Sequence, residues 1–418
     1  MSKPVIVVGA GLSGLACART LHEHGIEVHV LERADAVGGR VRTDEVEGYR
    51  LDRGFQVLLT SYPEVRLQLD LDALDLRPFD PGAVLWTGER FETIGDPTRK
   101  VGALVPTLLA RSATLRDKVE VLRLRRDVRS GADYGAFEAD DVTTLAALRQ
   151  RGFSDRFIEQ FFRPFLGGVF LDASLTTTSR FFRFVFRMFS EGRATVPARG
   201  MAELPRQLAA DLPHGTITLG AQVASVDASG VHVLGGKRIE ASAVVVATEG
   251  PAAQQLVPDL PEVSSRGVTC FYFGCDTPPT DRPALHLNAS GQGHINNLHV
   301  ASAISPALAP EGKHLVSISC LEIAEEPEAL REQVRAEAGH WFGDAVRSWV
   351  PLRHYTIRHA LPAQPVGALV PPRRPTRRGN GVYLCGDHLD QASIDGALVS
   401  GRRAAEAVAA DLGAAKTA

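Results

Sequence analysis

The sequence predicts an α/β protein built on a parallel sheet, and three stretches predict it. Val5-Ile6-Val7-Val8 is a short apolar run of the kind buried in a parallel strand, Gly9-x-Gly11-x-x-Gly14 follows directly, and Leu12 to His24 has helical spacing. Glu27-Val28-His29-Val30-Leu31 then supplies a second strand that ends in Glu32. Near the other terminus Val382 to Cys385 reads as a short strand and Gly386-Asp387 as a turn. Ser393 to Leu412 follows as an amphipathic helix whose small residues Gly396, Ala397 and Gly401 allow close packing.

A chain of 418 residues exceeds what one hydrophobic core usually supports, so two interleaved or sequential domains are expected. With 46 basic and 49 acidic residues the net charge is −3, which gives no global pull toward nucleic acid or an anionic membrane; any basic patch must be local. Cys17, Cys270, Cys275, Cys320 and Cys385 are odd in number, scattered and form no CxxC. That argues against a disulfide framework, a zinc site or a redox dithiol, and for a reducing compartment. The strand begins too early to leave room for a leader, and no stretch reaches the roughly 20 apolar residues of a transmembrane helix. A cytoplasmic location is expected, with no metal site.

Each part of the first motif has a physical task. Gly9 allows the tight turn, Gly11 lets backbone approach a pyrophosphate, and Gly14 permits close helix–strand packing, with Leu12 and Ser13 in the helix turn that faces the negative charge. Glu32 lies 18 residues after Gly14, close to where an acid accepts both ribose hydroxyls of an adenosine and would repel a 2′-phosphate; Arg33 is beside it. A lone GxGxxG reads equally as a glycine-rich turn near a surface glutamate. The strand, helix, second strand and acid in register favour the nucleotide site. Gly38-Gly39-Arg40 adds close-approach backbone and a cation for phosphate.

With these residues in place, GAGLSGLACARTL and VHVLERADAVGGRVRT resemble the opening of the FAD-dependent amine oxidase superfamily, which includes monoamine and polyamine oxidases, protoporphyrinogen oxidase and phytoene desaturases. The resemblance implies a Rossmann-like FAD-binding domain assembled from both chain ends, 1–80, 195–255 and 375–418, with an inserted α+β substrate domain over 81–194 and 256–374. It implies that Asp387, after Gly386, holds the ribityl or pyrophosphate region. Asp395, Gly396 and Ala397 would lie beside the isoalloxazine, where free amides of the helix's first turn could stabilise charge on a reduced flavin. Val223 would offer backbone bonds to adenine, and Ile239 to Thr248 would be the buried strand that ends near the nucleotide. Pro197-Ala198-Arg199-Gly200-Met201 resembles the superfamily's Pro-x-Gly-Gly-Met element. Asp52-x-Gly54 matches the segment that returns to the flavin, which makes Gly54 a close backbone approach, Phe55 and Gln56 flavin neighbours, and Gln56 a candidate for touching substrate.

Between the two ends, residues 98–150 are charged and helix-like, and Thr143 and Thr144 open a helix toward Gly152. Eleven of the 18 phenylalanines fall within 153–189. Most read as helical core, but FFRFVFRMF, residues 181–189, is apolar on too many faces for a surface helix, so part of it should line a substrate channel, meet a partner or touch lipid. Residues 263–361 turn strand-rich and predict the sheet of the substrate domain. Tyr355 and His359, on the stretch leading back to the cofactor, are candidate pocket residues. His388, next to Asp387, is with Gln56 and Tyr355 a candidate catalytic residue.

No second GxGxxG follows a strand, so no NADPH domain is expected. The flavin would be reduced by substrate and reoxidised by oxygen or another acceptor. The amine-specific features that the resemblance calls for are missing: Thr269 stands where amine oxidases place a lysine, and Ala392-Ser393-Ile394 where they place an aromatic residue. No cysteine is set for covalent attachment, so FAD should be noncovalent. Removal of hydride from carbon of a small, largely apolar substrate is the expected chemistry. A flavin-dependent isomerase, an amine oxidase and a flavin-binding module without turnover are the alternatives, and no nucleic-acid partner is expected. Peripheral membrane contact and oligomeric state stay open.

Overall fold

The computed structural model describes residues 3–95 and 110–414. Val5–Val8 is the middle of a six-stranded sheet whose order is Ile217–Thr218, Val28–Leu31, Val5–Val8, Ala243–Val246, Val382–Leu384 and Arg377–Gly379. Every neighbour pair is parallel except the last. A continuous Val/Ile run suits this place because both faces of the sheet are covered. Val5 and Val7 enter the core shared with the helices, and Ile6 and Val8 the core under a three-stranded meander, Val223–Asp227, Gly230–Val233 and Arg238–Glu240.

Helix Leu12–Glu23 and the terminal helix Ile394–Asp411 lie against one another. Their contact depends on Gly401, where a Cβ would stand 2.2 Å from the Ser13 carbonyl oxygen; Gly14 seats the first helix on its own turn, a Cβ there standing 2.0 Å from the Gly9 carbonyl oxygen. Ser393 caps the terminal helix, its hydroxyl accepting from the Gly396 amide at 3.1 Å.

A second sheet of seven strands runs Val350–Pro362, Ser265–Cys275, His314–Cys320, Asn297–Val300, Leu285–Asn288, Gly82–Trp86 and Phe91–Gly95. Only Leu285–Asn288 and Gly82–Trp86 pair in parallel. Within the strand-rich region the structure also holds a 16-residue helix, Pro327–Phe342, which the sequence reading did not place. Leu330, Val334, Ala338 and Trp341 recur at helical spacing there and bury against Phe271, Phe273 and Ile318 of the sheet.

A helical layer completes the chain: Leu115–Arg129, Thr144–Gln150, Arg163–Phe170 and Ser179–Glu191. Residues 98–109 of the expected helix-like region lie outside the described residues. FFRFVFRMF falls on Ser179–Glu191, and its apolar faces are satisfied from inside: Phe181, Phe182, Phe184, Val185 and Met188 are all buried. Its arginines hold neighbouring loops. Arg187 donates to the carbonyls of Gly131 and Ala132 at 3.1 and 2.6 Å, and Arg180 to those of Ala139 and Leu369 at 2.8 and 3.1 Å. Phe186 and Phe189 of this segment are partly buried and face the interior cavity.

Candidate active site

The carboxyl ends of the parallel strands open on a cavity of about 1850 Å³. Single-ligand pockets run to roughly 300–1,000 Å³, so this one has room for a second molecule beside a cofactor. One end is backbone and charge; the other is aromatic.

At the first end Gly9, Gly11, Leu12, Ser13, Glu32, Arg33, Gly38, Gly39 and Arg40 all line the wall. Gly9 has φ +106° and Gly39 φ +58°, both in the left-handed region that favours glycine. A Cβ on Gly11 would meet no protein atom within 4 Å, so the space in front of it belongs to the cavity. Gly14 is not on the wall; its bare Cα lets the helix seat on Gly9. The Glu32 carboxylate is buried and accepts from the amides of Ala10 and Ala34 at 2.7 and 2.8 Å, which fixes it at the end of its strand.

Arg40 joins the two chain ends. Its guanidinium donates to Asp387 Oδ1 at 2.7 Å and to the Ala360 carbonyl at 2.9 Å. Burial alone would pull the Arg40 guanidinium down, but Asp387 and Glu249 more than offset this and hold it charged. Gly386, Asp387, Val223 and Ala397 also line the wall.

Gln56 is on the wall, but its amide is committed: Nε2 donates to the carbonyls of Arg40 and Arg53 at 2.9 and 3.2 Å. It pins the turn that carries Arg40. Phe55 also lines the cavity, with its ring 4.5 Å from that of His299. Gly54 lines it too, but the space beside its Cα is taken by the Ile357 side chain, which a Cβ would approach to 2.8 Å. At φ +87° its glycine character is explained by protein rather than by flavin.

Four expectations need correction. The Tyr355 hydroxyl donates to Asp44 at 2.8 Å outside the cavity wall, and burial with that bond raises its pKa to about 12, so it neither reaches the site nor titrates near neutrality. His388 is buried off the wall; a Cβ on Gly386 would come within 2.4 Å of its ring, and burial holds the imidazole neutral, with a pKa of about 4. Asp395 and Gly396 are turned away from the cavity. Asp395 accepts from the Glu64 amide, Tyr134 and Gln391 at 2.7, 2.9 and 2.9 Å, and the Cα of Gly396 faces the Gln391 carbonyl. Ser393 and Ile394, with Ala397, present the helix end instead. Finally, Thr269 faces away: its hydroxyl donates to the Glu322 carbonyl at 2.7 Å and accepts from the Ala324 amide at 3.0 Å, while its neighbour Val268 is on the wall.

The second end of the cavity is lined by Phe157, Phe161, Phe165, Phe181, Phe186 and Phe189, with Leu285, Leu287 and Leu321 from the large sheet. His359 is also on the wall, as are Thr248, at the end of the strand expected near the nucleotide, and Gln222, which sequence reasoning did not single out. Thr248 follows the Ala243–Val246 strand, a signal that was present in the sequence.

The first end can be tested for a dinucleotide. The hydroxyls of Ser13 and Thr248 are buried without a protein partner, although both residues are on the wall. Two orphaned hydroxyls and an open space before Gly11 fit a bound phosphate-bearing group. A strand–glycine turn–helix cradle, an acid at the end of the second strand and an aromatic chamber continuous with it define a dinucleotide-dependent oxidoreductase architecture.

The comparisons with known proteins agree with that class. Residues 12–409 match the model of the flavin containing amine oxidoreductase family, and the chain belongs to that family. It is similar to human lysine-specific histone demethylase 2, 50% identical over 58 residues, which is 14% of this chain and 7% of that one. It is also similar to the phytoene desaturase of Fusarium fujikuroi, 30% identical over 112 residues, 25% of this chain and 20% of the other. The chain thus matches a fifth or less of the length of these two relatives. The fold of cyclohexylamine oxidase from Brevibacterium oxydans superposes with a TM-score of 0.68 at 17% identity, covering 99% of this chain and 100% of that one. The family is flavin-containing, and the cofactor of this chain is FAD, held noncovalently.

Proposed function

We propose that the protein is an FAD-dependent oxidoreductase that takes hydride from carbon of a largely apolar substrate, with oxygen or another acceptor closing the cycle. Residues 1–80, 195–255 and 375–418 would hold FAD, and 81–194 and 256–374 the substrate. The observation that carries this reading is the wall of the chamber next to the glycine cradle: six phenylalanines and several leucines, and no lysine in the strand Ser265–Cys275. Of the acids on that wall, Glu191 is paired with Arg187 at 3.0 Å and Asp80 is engaged as well, so an ammonium substrate would find little there to receive it, whereas a hydrocarbon would be desolvated at small cost.

Bound FAD would supply the two-electron acceptor. The chain's residues bind and orient. Gly9 to Ser13 and Thr248 would contact the pyrophosphate region, Glu32 the adenosine ribose and Val223 the adenine. Arg40, held by Asp387 and Gln56, would keep both halves of the cradle in register. The phenylalanines exclude water and align the carbon that loses hydride. The desaturase relative supports this reading over that of the demethylase, because its substrate is a hydrocarbon.

The test is anaerobic mixing of the flavin-loaded protein with phytoene in detergent micelles, a porphyrinogen and putrescine, reading the oxidised flavin band. Bleaching by an apolar substrate and not by the diamine is expected. Bleaching by the diamine alone overturns the proposal, as does product formed without bleaching from pre-reduced protein.

A further inference from the structure

The helix Leu115–Arg129 carries a surface that the proposed chemistry does not use. Leu115, Val119 and Leu122 are 75%, 45% and 54% exposed and recur at i, i+4 and i+7, so they form one apolar row facing outward. Arg116, Arg123, Arg126 and Arg129 are exposed around that row, and the helix carries six basic residues against three acids, of which Asp117 is turned inward while Glu120 and the exposed Asp127 pair with Arg123 and Arg126. Asp117 is buried, accepting from Ser154 and Thr114, and Glu120 is buried and paired to Arg123 at 2.5 Å; Asp127 pairs with Arg151 at 2.6 Å. The outward face is therefore apolar and positive, on a chain whose net charge is −3. Lys118, Val121, Leu122 and Arg125 of this helix also line the cavity, so the apolar chamber borders the apolar row.

We propose that this face docks on an anionic lipid bilayer, with Leu115, Val119 and Leu122 in the acyl boundary and the surrounding arginines at the headgroups. Charge complementarity selects this occupant, since a neutral apolar partner would gain nothing from four exposed guanidiniums. Among the described residues no helix is long and apolar enough to cross a membrane, so the contact is peripheral. An interfacial helix of this composition binds through buried apolar area together with attraction to anionic lipid. The inference deepens the proposed function: a substrate dissolved in the bilayer could pass into the phenylalanine-lined chamber at Leu122 without crossing water.

The test is flotation of the flavin-loaded full chain with phosphatidylcholine vesicles, with and without about one third phosphatidylglycerol, at low and high salt. Binding to the anionic vesicles, weakened by salt, is expected. Leu115→Asp/Leu122→Asp and, separately, Arg123→Glu/Arg126→Glu should each lower partitioning by about tenfold or more, since each basic residue near such a surface contributes about fivefold. Both pairs are exposed, and an unchanged flavin spectrum and melting temperature show that the variants fold. No binding to anionic vesicles overturns the proposal, as does binding that neither pair alters. A concentration-dependent dimer lost in Leu115→Asp/Leu122→Asp overturns it as well, because the occupant is then a second copy. Vesicle binding needs no turnover, so loss of the proposed oxidation leaves this inference standing, and the reverse.

Discussion

Two glycines three residues apart should respond to the same substitution in opposite ways. Gly11 has φ −71° and ψ 175°, which any residue adopts, and an added Cβ meets no protein atom within 4 Å. Gly14 sits where an added Cβ would be 2.0 Å from the Gly9 carbonyl oxygen and 3.2 Å from the Ala247 Cβ. Gly11→Ala should therefore leave the unfolding free energy of the apoprotein within about 0.5 kcal/mol of wild type. In the holoprotein the methyl stands in the space the pyrophosphate would use. Loss of one charge-assisted hydrogen bond, about 1.5–3 kcal/mol, would weaken FAD by roughly tenfold to a hundredfold. Gly14→Ala must push the helix off its strand by about 1 Å, and overpacking of this kind costs about 1–3 kcal/mol or more. Urea unfolding of the apoproteins and flavin-fluorescence titration separate the two effects. Wild-type FAD affinity in Gly11→Ala would refute the assignment of that space to the cofactor; equal loss of apoprotein stability in both variants would refute the geometry.

Further outcomes follow from the same contacts. Asp387→Asn keeps the shape of the Arg40 contact but removes its charge, and should cost about 1–3 kcal/mol in thermal unfolding, Arg40 being partly solvated; an unchanged melting temperature would mean that the pair does not couple the chain ends. Gln56→Leu leaves the Arg40 and Arg53 carbonyls without their donor, so about 1–2 kcal/mol of stability and a shifted flavin absorption band are expected, the band reporting movement of the Arg40 turn. Asp52, whose carboxylate accepts from Thr43 and the Met201 amide at 2.5 and 2.8 Å, has its pKa raised by burial from 3.8 to about 6. Between those values the native state binds more proton than the unfolded one, so this group's contribution falls as pH rises from about 4 to about 6. Asp52→Asn should therefore be near neutral at pH 4 and more stable than wild type at pH 7, on the order of 3 kcal/mol at a little over 1.3 kcal/mol per pK unit; a pH-independent difference in chemical unfolding would remove Asp52 as the source.

The cofactor end of the site was legible because its tasks are backbone tasks. Gly9, Gly11 and Gly39 are needed for conformation or empty space, and such demands are written in single residue types at fixed spacing after a strand. Side-chain direction was less legible. Asp395 and His388 sit beside wall residues in sequence, yet point away, one into bonds with Tyr134 and Gln391 and the other behind Gly386. Thr269 failed for a simpler reason: in a strand, neighbours face opposite sides, so an alignment one residue out exchanges a wall residue for a core residue. The helix Pro327–Phe342 was missed because four buried positions in a segment flanked by strands were read as part of the sheet.

The phenylalanine-rich segment shows what a single sequence can and cannot say about a surface. Its composition demanded burial, and both possible burials were realised, since Phe182 and Phe184 fill core while Phe181, Phe186 and Phe189 face the chamber. No periodicity distinguishes these two fates, because a chamber wall and a core look alike to the residue that faces them. The helix Leu115–Arg129 is the converse. Its pattern reads as an ordinary charged surface helix, and only the fold reveals that Asp117 and Glu120 turn inward while Leu115, Val119 and Leu122 turn outward. A row of apolar residues beside the mouth of an apolar chamber is therefore a property of the tertiary arrangement, and so is any route by which a water-insoluble substrate reaches the phenylalanines.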